Sequence, residues 1–366
     1  MKVSIGSKIV DGPWGGGNLF VANISNYLLK SGHKVIYNLS DSDIDLILLT
    51  DPRSRKESTS TFNHIEIQKY KKYVNENVLV VQRINECDER KGTDYINNFY
   101  LNVSNIANHV VFVSSWLRNI YLNLGLNKSK TSVILAGANP SIFNSQNQSE
   151  WKVGEKIKIV THHWSSHENK GFKIYRLLDS LIETEKWKDK IEFTYIGNLS
   201  QETNLKNTKI VPPLDGLKLA NEIKKHHIYL TASINEPSGN HHIEGAQCGL
   251  PILYLESGGI PEYCDGYGVS FKDNFETQLE KIIDNYDFYK KNMKLYSQSS
   301  EKMCKDFYDL FENLLKNKIK TNNKKNFLSI LFLFKHKFYR NIRDGFYFEI
   351  KTIFIRKVKV KFKKNG

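Results

Sequence analysis

Two doubly wound α/β domains followed by a basic tail are what the sequence predicts, and three observations carry the prediction. The chain has 366 residues, too many for one ordinary hydrophobic core, so two domains are expected. Short apolar runs recur with helix-forming stretches between them, the arrangement of strands in parallel sheets joined by helical crossovers. Thirteen of the fourteen net positive charges lie beyond residue 317, where fifteen Lys or Arg face only Asp344 and Glu349. The body is therefore near neutral and the basicity belongs to the tail. The polar run 144–150 reads as the linker, which places the domains at 1–145 and 151–320 and the tail at 321–366.

Composition narrows the class. A hydrophobic content of 40% supports a globular body. The first residues, MKVSIGSKIVDGPWGGG, lack the apolar run of a signal peptide and read as a strand and loop. No stretch approaches the roughly 20 apolar residues that span a bilayer. The four cysteines show no C-x-x-C pairing, so neither a zinc site nor a disulfide framework is indicated, and a reducing cytoplasm fits.

In the first domain, residues 2–10 read as a strand that feeds Gly12-Pro13-Trp14-Gly15-Gly16-Gly17, and a helix follows over 18–30. Glycines at a helix N-terminus let a phosphate approach the backbone, although the spacing matches neither G-x-G-x-x-G nor a P-loop, and a tight structural turn is the competing reading. Further strands are expected at 35–38, 44–50, 79–83, 109–113 and 132–135. The strand at 79–83 ends in the polar cluster 84–90, with Arg83, Asn85 and Asp88 prominent; Asp88 or Asn85 is read as touching the acceptor, or the cluster as loop and cap. Ser114-Ser115 caps a helix that runs through residue 124.

The second domain opens with a strand at 157–161, followed by the loop His162-His163-Trp164-Ser165-Ser166-His167-Glu168-Asn169-Lys170-Gly171. H-H-x-x-x-H on a loop without acidic ligands does not make a zinc site, and no metal is expected. A strand at 191–197 ends at Gly197, and Val211-Pro212-Pro213-Leu214 forms an apolar turn. A helix over 217–226 leads to a strand at 229–233, the loop Glu236-Pro237-Ser238-Gly239, a helix over 240–248 and a strand at 252–255. Gly249 and Pro251 stop that helix. In such a crossover the loop lies at the carboxyl end of the strand, where open parallel sheets bind ligands. Glu236 and Glu244, eight residues apart, can both face one ligand there. As carboxylates they accept hydrogen bonds from sugar hydroxyls, while Gly239 leaves amides bare at a helix N-terminus. A solvated Glu beside a capping Glu is the bland alternative.

The ordered run E-P-x-G from Glu236, then Glu244, then G-x-P and Ser257-Gly258-Gly259-x-Pro261-Glu262, resembles the donor-sugar motif of the retaining GT-B glycosyltransferases of family 4. The resemblance covers most of residues 1–315, more closely in the second domain. It implies two Rossmann-like domains facing across a cleft, with the stretch around 288–315 crossing back onto the first. It further implies transfer of a sugar from a nucleotide-sugar to an acceptor hydroxyl with retention, without metal or resident cofactor. Glu236 then orients the sugar, Glu244 holds the ribose and Lys170 binds the departing diphosphate. Gly16, Gly17, His163, Gly197, Pro212, Gly239 and Asn240 are implied donor contacts, and Asp88 joins Glu236 and Lys170 in the expected catalytic group.

Three departures are visible. The Arg that relatives pair with the Lys is missing, and His163, Trp164 and Ser165 stand in its neighbourhood. No His follows the strand at 79–83, and Asn139 stands where the first domain of relatives ends in Asp.

In the tail, Phe327, Leu331, Phe334, Phe338 and Ile342 recur at helical spacing with Lys335, Lys337, Arg340 and Arg343 between them, and 358–363 alternates strictly. Apolar groups that enter lipid, flanked by cations, suit an anionic membrane surface over 327–363 in preference to nucleic acid, and a solvated tail is the bland alternative. The expected protein is a cytoplasmic enzyme, peripheral on the inner face of the cell membrane, acting on a glycan or lipid-linked acceptor such as a surface-polysaccharide precursor. Competing readings are a nucleotide-sugar epimerase of the same architecture and an inactive, membrane-associated sugar-binding scaffold.

Overall fold

The computed structural model describes residues 1–10, 15–53, 59–200, 203–318 and 327–337. Along the chain the first sheet and its helices are β1 (Lys2–Ile5), α1 (Gly16–Lys30), β2 (Lys34–Ile36), β3 (Leu46–Leu49), α2 (His64–Tyr73), β4 (Leu79–Ile84), α3 (Asp88–Lys91), α4 (Ile96–Val103), β5 (His109–Phe112), α5 (Ser115–Asn123) and β6 (Thr131–Val133). The second set is β7 (Ile157–His163), α6 (Phe172–Leu181), β8 (Ile191–Gly197), β9 (Lys209–Val211), α7 (Gly216–Ile223), β10 (Ile228–Thr231), α8 (Asn240–Gln247), β11 (Ile252–Leu255), α9 (Pro261–Cys264), β12 (Gly268–Phe271), α10 (Phe275–Asp284) and α11 (Tyr286–Asn292). A last long helix, α12, covers Ser300–Lys316.

Both sheets are six-stranded and parallel, in the orders β2-β1-β3-β4-β5-β6 and β12-β11-β10-β7-β8-β9. The α/β, doubly wound architecture expected from the sequence is therefore present twice. Strands such as β3 (LILL) and β4 (LVVQRI) are buried along their whole length, because helices cover both faces of a parallel sheet. The order reverses where β1 and β3, or β10 and β7, leave the sheet in opposite directions, and ligand crevices open at such points.

Several strand ends differ from expectation, and two of the differences have a visible cause. β1 stops at Ile5, because the chain turns from the sheet at Gly6 and Ser7 bridges Ser60 instead. β7 continues two residues farther, through His162 and His163, which pair with Ile196 and Gly197. Gly197 permits this: a Cβ there would lie 2.0 Å from the His163 carbonyl oxygen, and its φ is +148°. The two histidines thus enter a rigid strand.

The sheets are joined by α12, which returns from the second unit to pack along α1. The Phe20 and Phe307 rings meet at a tilt with centroids 5.1 Å apart, and His33 stacks on Tyr308 at 5.5 Å. The crossing is pinned where Ser300 N–H donates to the Ala138 carbonyl (2.8 Å), and Gly137 has no room for a side chain beside Ser299. Residues 327–337 form a further helix, with Phe332 against Tyr70 of α2 (6.1 Å). Residues 338–363, including the alternating stretch 358–363, lie outside the described residues, as do Gly12, Pro13 and Trp14. Among the described residues no helix is long and apolar enough to cross a membrane.

Candidate donor site between the sheets

The site is built on the loop from β10 to α8. Asn235 adopts φ +50°, and the turn behind it is braced by Ser257-Gly258-Gly259: Ser257 Oγ accepts from Asn235 N–H (2.9 Å) and Gly259 N–H donates to the Glu236 carbonyl (2.9 Å). A Cβ on Gly258 would come within 2.5 Å of that carbonyl, so the S-G-G motif has a steric reason. Glu236 is thereby held buried at the mouth of the second sheet.

Two cations meet on its carboxylate. Lys170 Nζ is 2.7 Å from Oε2, delivered by a short turn (Glu168–Lys170) that ends in Gly171 at φ +102°. Gly171 packs so closely on Ala232 that a Cβ would clash at 2.6 Å. From the other side of the cleft, Arg90 of α3 places Nε 2.9 Å from Oε1 and Nη2 3.1 Å from Oε2. Burial by itself would raise the Glu236 pKa, but Lys170 and Arg90 outweigh it and hold the carboxyl at about 2. Burial likewise lowers the Lys170 ammonium, with Glu236 acting against that.

Behind this triad lies a buried histidine layer. His162 Nε2 sits 2.8 Å from Glu244 Oε2, and its Nδ1 is 2.9 Å from the Tyr229 hydroxyl. Since a carboxylate only accepts, Nε2 carries a proton toward Glu244. His163 pairs with the Tyr175 hydroxyl (2.7 Å), His241 with Thr231 Oγ1 (2.7 Å), and the two imidazoles lie 4.5 Å apart. Burial first, then neighbouring positive groups including Lys170, pushes the pKa of both far below the usual 6.5. His242 is fully buried and held at about 3 mainly by burial, and neither of its ring nitrogens has a hydrogen bond among the described residues. Among the described residues no group of His, Cys, Asp or Glu is arranged to hold a metal ion.

Several sequence-identified positions come together here: Lys170, Glu236, Gly239, Asn240, Glu244 and His163. Gly16 joins them from the first sheet, since a Cβ on it would be 2.9 Å from Asn240 Nδ2, bringing the N-termini of α1 and α8 face to face. Gly17, beside it, has open space around its Cα. Gly197 is one strand away, where it lets β8 approach His163. Pro212 stands exposed after β9, the edge strand two positions from β7, and is not drawn into the cluster.

Asp88 is placed differently from its expected acceptor role. Its carboxylate accepts from Thr93 Oγ1, Ile96 N–H (2.8 Å) and Asn97 N–H (2.9 Å), which takes up both oxygens at the start of α4. The residue that reaches the site is Arg90, two positions on. Sequence reasoning also passed over His241 and His242, whose only signal is their place just after Gly239. Glu262, at the end of the S-G-G-x-P-E run, is a cross-cleft cap: it accepts from the Ser115 (2.7 Å) and Trp116 (2.8 Å) amides at the start of α5.

Comparison with solved structures places this architecture. The sucrose-phosphate synthase of Thermosynechococcus elongatus superposes with a TM-score of 0.64 at 14% identity, covering 86% of this chain and 99% of that one. Anabaena HepE in complex with UDP-glucose gives 0.63 at 13% identity, with 86% and 100% covered. The lipopolysaccharide outer core galactosyltransferase WaaB gives 0.58 at 12% identity, with the same shares. The fold is that of the GT-B glycosyltransferases. In sequence, the chain is 23% identical over 212 residues to the phosphatidylinositol N-acetylglucosaminyltransferase gpi3 subunit of Schizosaccharomyces pombe, covering 54% of this chain and 45% of that relative. The chain thus spans less than half the length of the curated relative it matches. No family model matches the chain.

Proposed function

We propose that the protein is a retaining, metal-independent glycosyltransferase of the family 4 type that moves a sugar from a nucleotide-sugar to an acceptor hydroxyl. The observation that carries this reading is the convergence of Lys170, Glu236, Glu244 and the N-terminus of α8 at the mouth of a sheet in a GT-B fold. Lys170 and the α8 amides stabilise charge on the departing diphosphate, where it grows in the transition state. Glu236 accepts hydroxyls of the sugar and Glu244 those of the ribose. Both act in binding; they are not a glycosidase acid and base. That HepE has been solved with UDP-glucose supports a nucleotide-sugar donor, and the likeness to WaaB, a lipopolysaccharide outer core galactosyltransferase, supports a surface-glycan acceptor.

The acceptor is a lipid-linked glycan at an anionic membrane surface, reached through the basic, apolar tail over 327–363. In support, Phe327, Leu331 and Phe334 are exposed on the 327–337 helix while Phe332 turns inward. The test is to incubate the protein with UDP-, GDP-, dTDP- and CMP-sugars and a bacterial glycolipid extract, and to follow free nucleotide and lipid-bound label. Acceptor-dependent release of one nucleotide, with label in the lipid, is expected. A donor converted to its epimer with no nucleotide released would establish the epimerase reading instead.

A further inference from the structure

The second domain carries Lys170 but no arginine beside it to complete a grip on a diphosphate. We propose that Arg90, from the first domain, is the second phosphate cation, and that its ion pair with Glu236 is the resting position from which the donor's diphosphate draws it. The inference rests on the glycosyltransferase reading above and concerns the same site.

Geometry leads to it. Arg90 and Lys170 approach the same oxygen, Glu236 Oε2, at 3.1 and 2.7 Å. Two half-buried cations share one buried carboxylate beside the N-terminus of α8, with Glu86 the next carboxylate acting on both, and the helix dipole there favours a further anion. The ring edge of His242 that carries both nitrogens faces the same place, since its Cε1 would lie 2.9 Å from a Cβ on Gly239. Neither nitrogen has a partner among the described residues, so a buried polar group awaits one there.

Arg90 is also fixed where the exchange needs it. Its carbonyl accepts from Asn169 Nδ2 (3.1 Å), next to Lys170, and the Glu89 carbonyl accepts from Asn235 Nδ2 (3.0 Å), next to Glu236. α3 is thus tied to both donor loops, and the guanidinium can re-aim by side-chain rotation while its backbone stays put. A planar fork suits two phosphate oxygens as well as it suits one carboxylate. Transfer of Arg90 to the diphosphate would release Glu236 Oε1 for a sugar hydroxyl, so one event charges the leaving-group site and opens the sugar site. No covalent bond changes in this exchange.

The experiment is calorimetric titration of the full chain and of Arg90→Gln and Arg90→Lys with nucleoside diphosphates and the matching monophosphates of uridine, guanosine, adenosine and thymidine. Wild type should favour one diphosphate over its monophosphate. Arg90→Gln should lose at least about tenfold in diphosphate affinity with the monophosphate nearly unchanged, and Arg90→Lys should recover part of the loss. A merely structural Arg90 would weaken both nucleotides alike, and a merely inhibitory one would bind the diphosphate more tightly when removed; either outcome overturns the proposal while the transferase reading stands. If wild type binds none of the nucleotides, both readings fall. Melting of each variant, with Lys170 still pairing Glu236, reports that the fold is kept.

Discussion

At the scale of single residues, the candidate site gathers two cations on one buried carboxylate. Glu236 stays ionised because two cations face it, and replacing it by Gln would leave the half-buried Arg90 and Lys170 facing each other without their anion. Loss of the shared anion should cost about 3–5 kcal/mol, read as a lower melting temperature that added pyrophosphate partly restores. The pH dependence follows the same pair. Its carboxyl is held at about 2 against an ordinary 4.5, so the stability it contributes is complete above 4.5 and is lost as pH falls toward 2. The histidines act over a different window. His163, His241 and His242 remain neutral in the fold at pH values where an unfolded imidazole, near 6.5, takes a proton. The unfolded state then binds more protons, so stability falls with pH below 6.5, by about 1.4 kcal/mol per pH unit for each such histidine. A melting temperature that is flat between pH 7 and pH 5 would contradict this. Legibility was uneven at this scale. Glu236, Glu244 and Lys170 were readable because an ordered motif marks them. Arg90 was not, since its partner is 146 residues away and nothing local distinguishes it from a surface arginine.

Among the elements, most strands were legible because a sheet covered on both faces demands continuous apolar runs. The ends were less so. β7 ran two residues beyond its apolar segment because Gly197, on the neighbouring strand, makes room for His163. The return of α12 depends on an equally non-local fit at Gly137, where a Cβ would sit 2.1 Å from the Ser299 carbonyl carbon. Gly137→Ala should therefore loosen the clasp between the sheets, at about 1–3 kcal/mol, seen as a lowered melting temperature and faster proteolysis before Ser299. The 327–337 helix makes a separate prediction. Its spacing of Phe327, Leu331 and Phe334 was visible in sequence, and these side chains are exposed, while Ser329, Phe332 and His336 face the first unit. Deleting residues 321–366 should release the protein from phosphatidylglycerol vesicles and leave nucleotide-sugar binding unchanged. A truncated chain that still sediments with lipid would sink the tail's proposed role.

On the scale of the whole molecule, the cleft is held by contacts that no single domain contains. Glu262 caps α5, the Tyr263 hydroxyl joins the Val113 carbonyl to the Ala136 amide, and Arg90 reaches Glu236. The two-sheet architecture was legible from length, alternation and the motif around Glu236. The cross-cleft contacts were not, because each pairs residues on different sheets and their spacing in sequence carries no period. These contacts bring the N-termini of α1 and α8 together beside Lys170, Arg90 and Glu236, the place the proposed chemistry assigns to a diphosphate. The direct test of that claim is the thermal shift of the purified chain against UDP-, GDP-, dTDP- and CMP-sugars, each with and without EDTA, alongside Glu244→Ala. At about 100 times its Kd, a donor adds roughly 2.7 kcal/mol of stability. The account predicts that sugars of one nucleotide raise the melting temperature, that EDTA does not change the shift, and that Glu244→Ala weakens it. A melting temperature unmoved by every nucleotide-sugar would contradict the account and leave a sugar-binding scaffold in its place.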